Sequence, residues 1–243
     1  MSKKRAIIFL AWGEHFVKEV EECVVESGLS HYPIYLITDE ETPVNFTFDQ
    51  LYITRVNFEL DGKVRKCELA NHLPEGYDSL LFLDVDTRVI GDIELGFEKA
   101  ELHGIAMAQA TLYSLGAFRN FRTIMEQEGI KSQGQLLYNS GVVFMQLSDE
   151  VNAVFRMSEQ LSRKYPDAPW GDQTYLTLAM EILNFNPYTL STAFNHRAFG
   201  EYISGRVRIW HSYKKIPDNV NDDLHLTFRR YEHGKIVRAV VTK

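Results

Sequence analysis

Several things are scarce in this sequence, and each scarcity removes a class of protein. There are only two cysteines, Cys23 and Cys67, and neither sits in a metal-ligand spacing. A disulfide framework is therefore not expected, and a reducing, cytoplasmic setting is. Long apolar runs are missing. The run Ala6 to Ala11 is six residues long before Trp12 and Gly13, too short for a signal-peptide core or a transmembrane segment. Positive charge is in deficit: 26 Lys and Arg stand against 33 Asp and Glu, a formal net charge of −7. A nucleic-acid backbone, which selects a basic stripe, is not an expected partner. Repeats and low-complexity linkers are also lacking. With 45% hydrophobic and 24% charged residues over 243 positions, the composition is that of one globular domain.

The order of apolar segments points to an α/β fold. Ala6 to Ala11 reads as a strand buried on both faces. Phe16, Val20, Cys23, Val24 and Ser27 follow at helical spacing, and Gly28 is placed to end that helix. Pro33 to Thr38 is a second buried strand, so the opening is strand–helix–strand, the unit of a parallel sheet with a right-handed crossover. Strand-like fragments follow around residues 51–53 and 56–58. The spacing predicts a helix over 64–73, stopped at Pro74, then an all-apolar strand over 79–83. Further strands are expected at 105–108, 142–146, 185–190 and 206–210. A helix capped by Ser148 carries Asp149 and Glu150 in its first turn and Arg163 and Lys164 in its last, matching the helix dipole. Another runs from about Gly171 to Leu183. Residues 111–137 are the candidate lid or acceptor loop, although the same pattern would serve a surface helix with a mobile flank, and the tail is expected to form a hairpin turning at His233-Gly234.

The run Leu81-Phe82-Leu83-Asp84-Val85-Asp86 carries the chemistry. Side chains of an extended segment alternate faces, so Asp84 and Asp86 point one way and Val85 the other. Two carboxylates at the carboxyl end of a buried strand lie where open α/β sheets bind ligands. Unpaired, they would repel each other and resist desolvation, so a cation is their natural partner. Oxygen ligands suit Mg²⁺ or Mn²⁺, and an added imidazole tilts the choice to Mn²⁺. Haloacid-dehalogenase phosphatases also carry Asp-x-Asp after an apolar strand, but continue Gly-Thr where this chain has Thr87-Arg88.

With its neighbours included, this motif resembles the retaining GT-A glycosyltransferases of family 8, the group of glycogenin and the lipopolysaccharide galactosyltransferases. The resemblance runs over about residues 6–217 through short motifs in order. Lys66, eight residues before Pro74, occupies the place of a cation that contacts the nucleotide. Asn139-Ser140-Gly141 matches a segment lining the donor-sugar pocket. Trp170-Gly171-Asp172-Gln173 matches an Asp-Gln element near the transferring sugar, and Phe194-Asn195 a pair on the acceptor side. Trp210-His211, followed by Lys214-Lys215-Ile216-Pro217, is similar to the element whose histidine is the third metal ligand.

The resemblance implies a single GT-A domain over 1–217, with a mostly parallel central sheet flanked by helices, and an extension over 218–243. It implies a metal-dependent hexosyltransferase that moves a sugar from a UDP-sugar to a carbohydrate or other hydroxyl acceptor with retention. Asp84, Asp86 and His211 are the implied ligands of Mn²⁺ or Mg²⁺. Asp172, Gln173 and Asn139 are the implied catalytic residues, and Ala11, Lys66, Asp84, Gly141 and Lys215 the implied donor contacts. A lipid-linked acceptor would bring the protein to a membrane surface; the oligomeric state is left open.

Each residue also has a plainer reading. His211 serves equally as a hydrogen-bonded core histidine, Asp172 as a helix cap, Asn139-Ser140-Gly141 as a turn and Lys66 as a solvated side chain. The chain also departs from the family. Ala11-Trp12-Gly13-Glu14 replaces Ala-x-Asp at the base contact, Thr174 replaces a second acidic residue, and the glycine after the histidine is missing. Alternatives are a GT-A module that binds nucleotide-sugars without turnover, a sugar-nucleotide pyrophosphorylase lacking its Gly-rich loop, and the phosphatase above. Arg229, Arg230, Lys235 and Arg238 in the extension would cover the site or bind an anionic acceptor.

Overall fold

In the computed structural model the described residues are 3–117, 119–130, 134–166, 171–197, 202–203, 206–218, 220–221, 227–232 and 235–240. The first half holds β1 (Arg5–Leu10), α1 (Glu14–Glu26), β2 (Ile34–Asp39), β3 (Leu51–Val56), β4 (Ser79–Leu83), β5 (Thr87–Val89), α2 (Glu94–His103) and β6 (Ile105–Ser114). The second holds α3 (Arg119–Gln127), β7 (Leu136–Met145), α4 (Asp149–Lys164), α5 (Asp172–Ile182), β8 (Tyr188–Leu190), β9 (His196–Arg197), β10 (Tyr202–Ile203), β11 (Ile209–His211), β12 (Thr227–Glu232) and β13 (Lys235–Val240).

β1 shows why the molecule is layered. Ile7, Phe9 and Ala11 enter one apolar cluster, with Val17, Val20, Cys23 and Val24 of α1. Ala6, Ile8 and Leu10 enter the other, with Val151, Val154 and Phe155 of α4 and Tyr175 and Leu176 of α5. A two-residue period with both faces apolar produces a sheet covered on each side. That sheet has seven strands in the order β3-β2-β1-β4-β7-β6-β8. The chain lays β2 and β3 on one side of β1 and then returns to add β4 on the other, so the strand order reverses at β1–β4. The carboxyl ends of that pair open a crevice.

Most of the sheet is parallel, but β7 runs antiparallel to both β4 and β6. Its direction positions the site. Leu83 pairs with Val142, and the Asp84 N–H donates to the Gly141 carbonyl at 2.8 Å, so residues 139–141 meet the acidic pair at the end of β4. A second small sheet, β5-β11-β9, pairs His211 with Thr87 and brings the histidine beside Asp86. A third joins β10, β12 and β13. The last two pair antiparallel from Thr227↔Val240 to Glu232↔Lys235; the turn at 233–234 lies outside the described residues.

One local expectation is refined and two are corrected. The expected helix is present, but residues 62–72 wind as a 3₁₀ helix of eleven residues, tighter than an α-helix and longer than such runs usually are. Tertiary ties hold it. Lys66 reaches across to Asp84, and the buried Glu68 carboxylate accepts the N–H groups of Glu59 and Leu60 at 3.1 and 3.0 Å. Residues 111–137 are largely not a loop: they include the end of β6, α3 and the start of β7, with Phe121 in the core against Tyr175. Phe16 leaves the core. It is 42% exposed, because Val17, one position on, takes the inward face of α1.

Candidate active site

The crevice at the carboxyl ends of β1 and β4 is a cavity of about 490 Å³, lined among others by Ala11, Lys66, Asp84, Asp86, Asp172 and His211. Asp84 follows the last residue of β4. Its turn is tied down: the Thr87 N–H and hydroxyl both donate to the Asp84 carbonyl, at 3.1 and 2.7 Å, and the Ser212 N–H donates to the Asp86 carbonyl at 2.9 Å. Arg88 donates to the carbonyls of Val85 and Thr87 at 3.2 and 2.8 Å. Its guanidinium is gripped by Glu19, Glu22 and Glu26 of α1.

Asp84, Asp86 and His211 each offer one atom to a group lying within 4.8 Å of one another. The His211 ring is aimed by a buried relay. Its Nδ1–H donates to Asn195 Oδ1 at 2.7 Å. Asn195 Nδ2 donates to Asn139 Oδ1 at 3.0 Å, which also accepts the Gly141 N–H at 2.9 Å. With the proton on Nδ1, Nε2 presents a lone pair to Asp86 Oδ1 at 3.2 Å and Asp84 Oδ2 at 3.7 Å. Three acceptors facing one another need positive charge between them. Gly141 clears the space: a Cβ there would fall on His211 Cε1 and come within 2.8 Å of Asp84 Oδ2. Two carboxylates and an imidazole are a donor set for a divalent cation of the Mn²⁺ class, so the residues fit such an ion.

Lys66 occupies the other side of Asp84. Its ammonium is 2.5 Å from Asp84 Oδ1 and 3.8 Å from Asp172 Oδ2. Burial works against that charge, but Asp172 and Asp84 outweigh it and raise the Lys66 pKa above the usual lysine value. Burial pushes the Asp172 carboxyl up, and Asp84 adds to this, while Lys66 and a hydrogen bond from Ser140 pull it down. Asp86 is also resisted by burial, yet an Nε2–H of His211, where that nitrogen carries the proton, together with Lys66 brings it below the ordinary carboxylate range. Asp172 is the first residue of α5, whose N-cap is Gly171 with no side-chain cap bond. It faces the cavity and is not a helix cap.

The structure brings together Ala11, Lys66, Asp84, Asp86, Asn139, Asp172, Gln173 and His211 along this cavity, with Gly141 behind. Trp170 lies outside the described residues. Lys215 does not join them: its side chain is 87% exposed and lies 3.7 Å from Asp218, whereas Lys214 lines the cavity. Sequence reasoning missed Arg88, the aromatic lining (Trp12, Phe16, Tyr213) and the orienting role of Asn195. Asn195 lies 16 residues before His211, so no local pattern links them.

No family model matches this sequence, and no curated protein matches it. The fold is that of the GT-A glycosyltransferases. Among solved structures, the galactosyltransferase LgtC with donor and acceptor sugar analogs aligns at a TM-score of 0.61 and 14% identity, over 86% of this chain and 87% of that one. An active-site glutamine-to-glutamate mutant of LgtC gives 0.62 and 13% over 90% and 91%. Mouse xyloside xylosyltransferase 1, in its apo form, gives 0.59 and 15% over 88% and 99%. At these identities the likeness is one of fold.

Proposed function

We propose that this chain is a metal-dependent glycosyltransferase that moves a hexose from a nucleotide-diphosphate sugar, UDP-linked by family analogy, to a hydroxyl acceptor with retention. The observation that carries the reading is the convergence of Asp84, Asp86 and His211 within 4.8 Å, beside a glycine whose missing Cβ leaves them room. The fold neighbours LgtC, solved with donor and acceptor sugar analogs, and xyloside xylosyltransferase 1 support sugar transfer.

A divalent cation bound there, Mn²⁺ or Mg²⁺, supplies Lewis-acid neutralisation of the departing diphosphate. Asp84, Asp86 and His211 would hold it, and Asp84 would then serve two partners, its Oδ1 lying beside Lys66. Lys66 adds a fixed positive charge beside the leaving group, and Lys214 takes the role first given to Lys215. Electrostatic preorganisation of this kind needs no reorganisation at the moment of reaction and supplies the largest share of the rate. Asp172 and Gln173, at the start of α5, orient sugar hydroxyls, with Asn139 behind them. In LgtC a glutamine-to-glutamate change is an active-site mutation, and Gln173 is a glutamine that lines the cavity here. The acceptor hydroxyl gives its proton to the leaving phosphate on the same face, so no protein nucleophile is required.

The test is Asp86→Ala. Expected is loss of Mn²⁺-dependent UDP-sugar turnover and of Mn²⁺-dependent UDP binding, with the melting temperature retained. Near-normal turnover in that variant refutes the metal assignment. A module without turnover would bind UDP with Mn²⁺ in the wild type yet neither transfer nor hydrolyse the sugar.

A further inference from the structure

The two edges of the seven-stranded sheet differ. At one, β8 is only three residues long, and so short an edge offers little to pair with. At the other, β3 runs six residues, Leu51–Val56, and among the described residues β2 is its one strand neighbour. The β2–β3 register is unbroken from Ile34↔Leu51 to Asp39↔Val56. No bulge, proline or lysine interrupts β3, although these are the usual guards against strand addition. Its one charged residue, Arg55, is drawn back onto its own sheet. A terminal nitrogen of the guanidinium donates to the Asp39 carbonyl at 2.8 Å and also to the Thr42 carbonyl. Tyr52 and Ile53 are 47% and 42% exposed, and as neighbours in a strand they point to opposite faces. The edge is open above and below.

The backbone of β3 fixes how a partner joins it. The Ile34 N–H donates to the Gln50 carbonyl at 2.8 Å. In a parallel ladder alternate residues turn their backbone groups toward the neighbouring strand, so Tyr52, Thr54 and Val56 face β2 while Ile53 and Arg55 face outward. Charge then selects the occupant. Over residues 47–58 the charged side chains are Asp49, just ahead of β3, and Arg55, near its end. Asp49 is exposed and has no ion-pair partner among the described residues. Laid antiparallel on a second copy, the acidic end meets the basic end twice; laid parallel, like meets like. We propose that β3 is a dimer edge, through which two copies of this chain pair antiparallel about a two-fold axis at Ile53. In that register Ile53 faces its own counterpart, Tyr52 lies opposite Thr54, and Asp49 lies diagonal to Arg55, within reach of long side chains. The pairing consumes the edge, so growth stops at two. One strand pair is small beside the roughly 1,200 Å² of a stable interface, and a dissociation constant in the micromolar range follows. The two crevices open toward opposite ends of the joined sheet, and the dimer is independent of the proposed sugar transfer.

The test is sedimentation velocity of the full chain over a concentration series that brackets the micromolar range, from about 1 to about 300 µM. The wild type should pass from monomer to dimer and no further. Ile53→Pro removes an outward N–H that β2 does not use, the setting in which an edge strand accepts proline. It should stay monomeric with its circular dichroism spectrum retained. Ile53→Lys and Ile53→Glu should each stay monomeric, because like charges then face each other across the axis. An equimolar mixture of the two should dimerise again, a result that depends on the register and that a general loss of apolar surface would not produce. Asp49→Asn should weaken the dimer by about 2- to 30-fold, since symmetry removes two exposed ion pairs at once. Should Ile53→Pro fail to fold, the lysine–glutamate mixture decides alone. A wild type that is monomeric at the top of the range overturns the proposal. So does a folded Ile53→Pro that still dimerises, a mixture that stays monomeric, or assembly beyond two.

Discussion

Gly141 shows how one small residue decides the geometry of the whole site. Its backbone joins β4 to β7 through Asp84, and its bare Cα lets the His211 ring and the Asp84 carboxylate approach the strand. Gly141→Ala puts a methyl group into both. The expected result is loss of Mn²⁺ binding, measured by electron paramagnetic resonance of the free ion, together with about 1–3 kcal/mol of lost stability from overpacking. A variant that binds Mn²⁺ as the wild type does would show that the site lies elsewhere. Gly141 was legible as part of an Asn-Ser-Gly resemblance, but its steric reason was not. The residues it clears lie 57 positions upstream and 70 downstream, by subtraction of their numbers.

Among the elements, the β4–β5 turn is tied down by a single arginine from two directions. Arg88 caps two of its carbonyls and is anchored by three glutamates on α1. A planar fork can hold carbonyls and carboxylates together, and an ammonium cannot. Arg88→Ala is expected to weaken Mn²⁺ binding by about 10- to 100-fold, the usual effect of losing an outer-shell partner, and Arg88→Lys should not restore it. Equal Mn²⁺ affinity in all three proteins would reduce Arg88 to a surface ion pair. Other elements were plain in the sequence because their causes are local. The Ser148 hydroxyl accepts the Val151 N–H at 3.3 Å, and α4 begins and ends where the charges said it would. α3, the long β6 and β7, and the 3₁₀ winding of 62–72 were not legible, because cross-strand pairing and buried ties set them.

At the scale of the molecule, the two outer ends of the sheet answer to different perturbations. The amino-terminal end is pinned by Arg5, whose Nε donates to Glu101 Oε1 at 3.0 Å, while the Ser79 hydroxyl donates to the same oxygen at 2.8 Å. Burial resists the Glu101 charge, but these donors win and hold its pKa below the usual glutamate value. A carboxyl whose pKa is lower folded than unfolded stabilises fully above the unfolded value, about 4.3, and loses that contribution as pH falls through the folded one. Glu101→Gln should therefore flatten the acid limb of the melting temperature against pH and leave its shape near neutrality unchanged. An identical acid limb in both proteins would exclude the linkage. On the proposed function, the carboxyl-terminal end is the one that should answer to ligand. A donor nucleotide with Mn²⁺ at a hundredfold over its Kd should add about 2.7 kcal/mol, roughly 5–10 °C in Tm for a chain of this size. The shift should vanish with EDTA, and a shift that survives chelation would argue against a metal-bridged diphosphate.

By itself the sequence determined the α/β class, the strand–helix–strand opening and the acidic pair at the end of β4, because apolar period and strand alternation act over a few residues. Lys66, Asp172, Gln173 and His211 were singled out by the family resemblance alone, through motifs in order along the chain. Only the tertiary structure decided that β7 runs against β4, that Asn195 turns the His211 lone pair toward the aspartates, that Lys214 and not Lys215 faces the cavity, and that Phe16 leaves the core to line it. Those outcomes depend on which strand lies beside which, and contacts between distant segments leave no periodic trace in the chain.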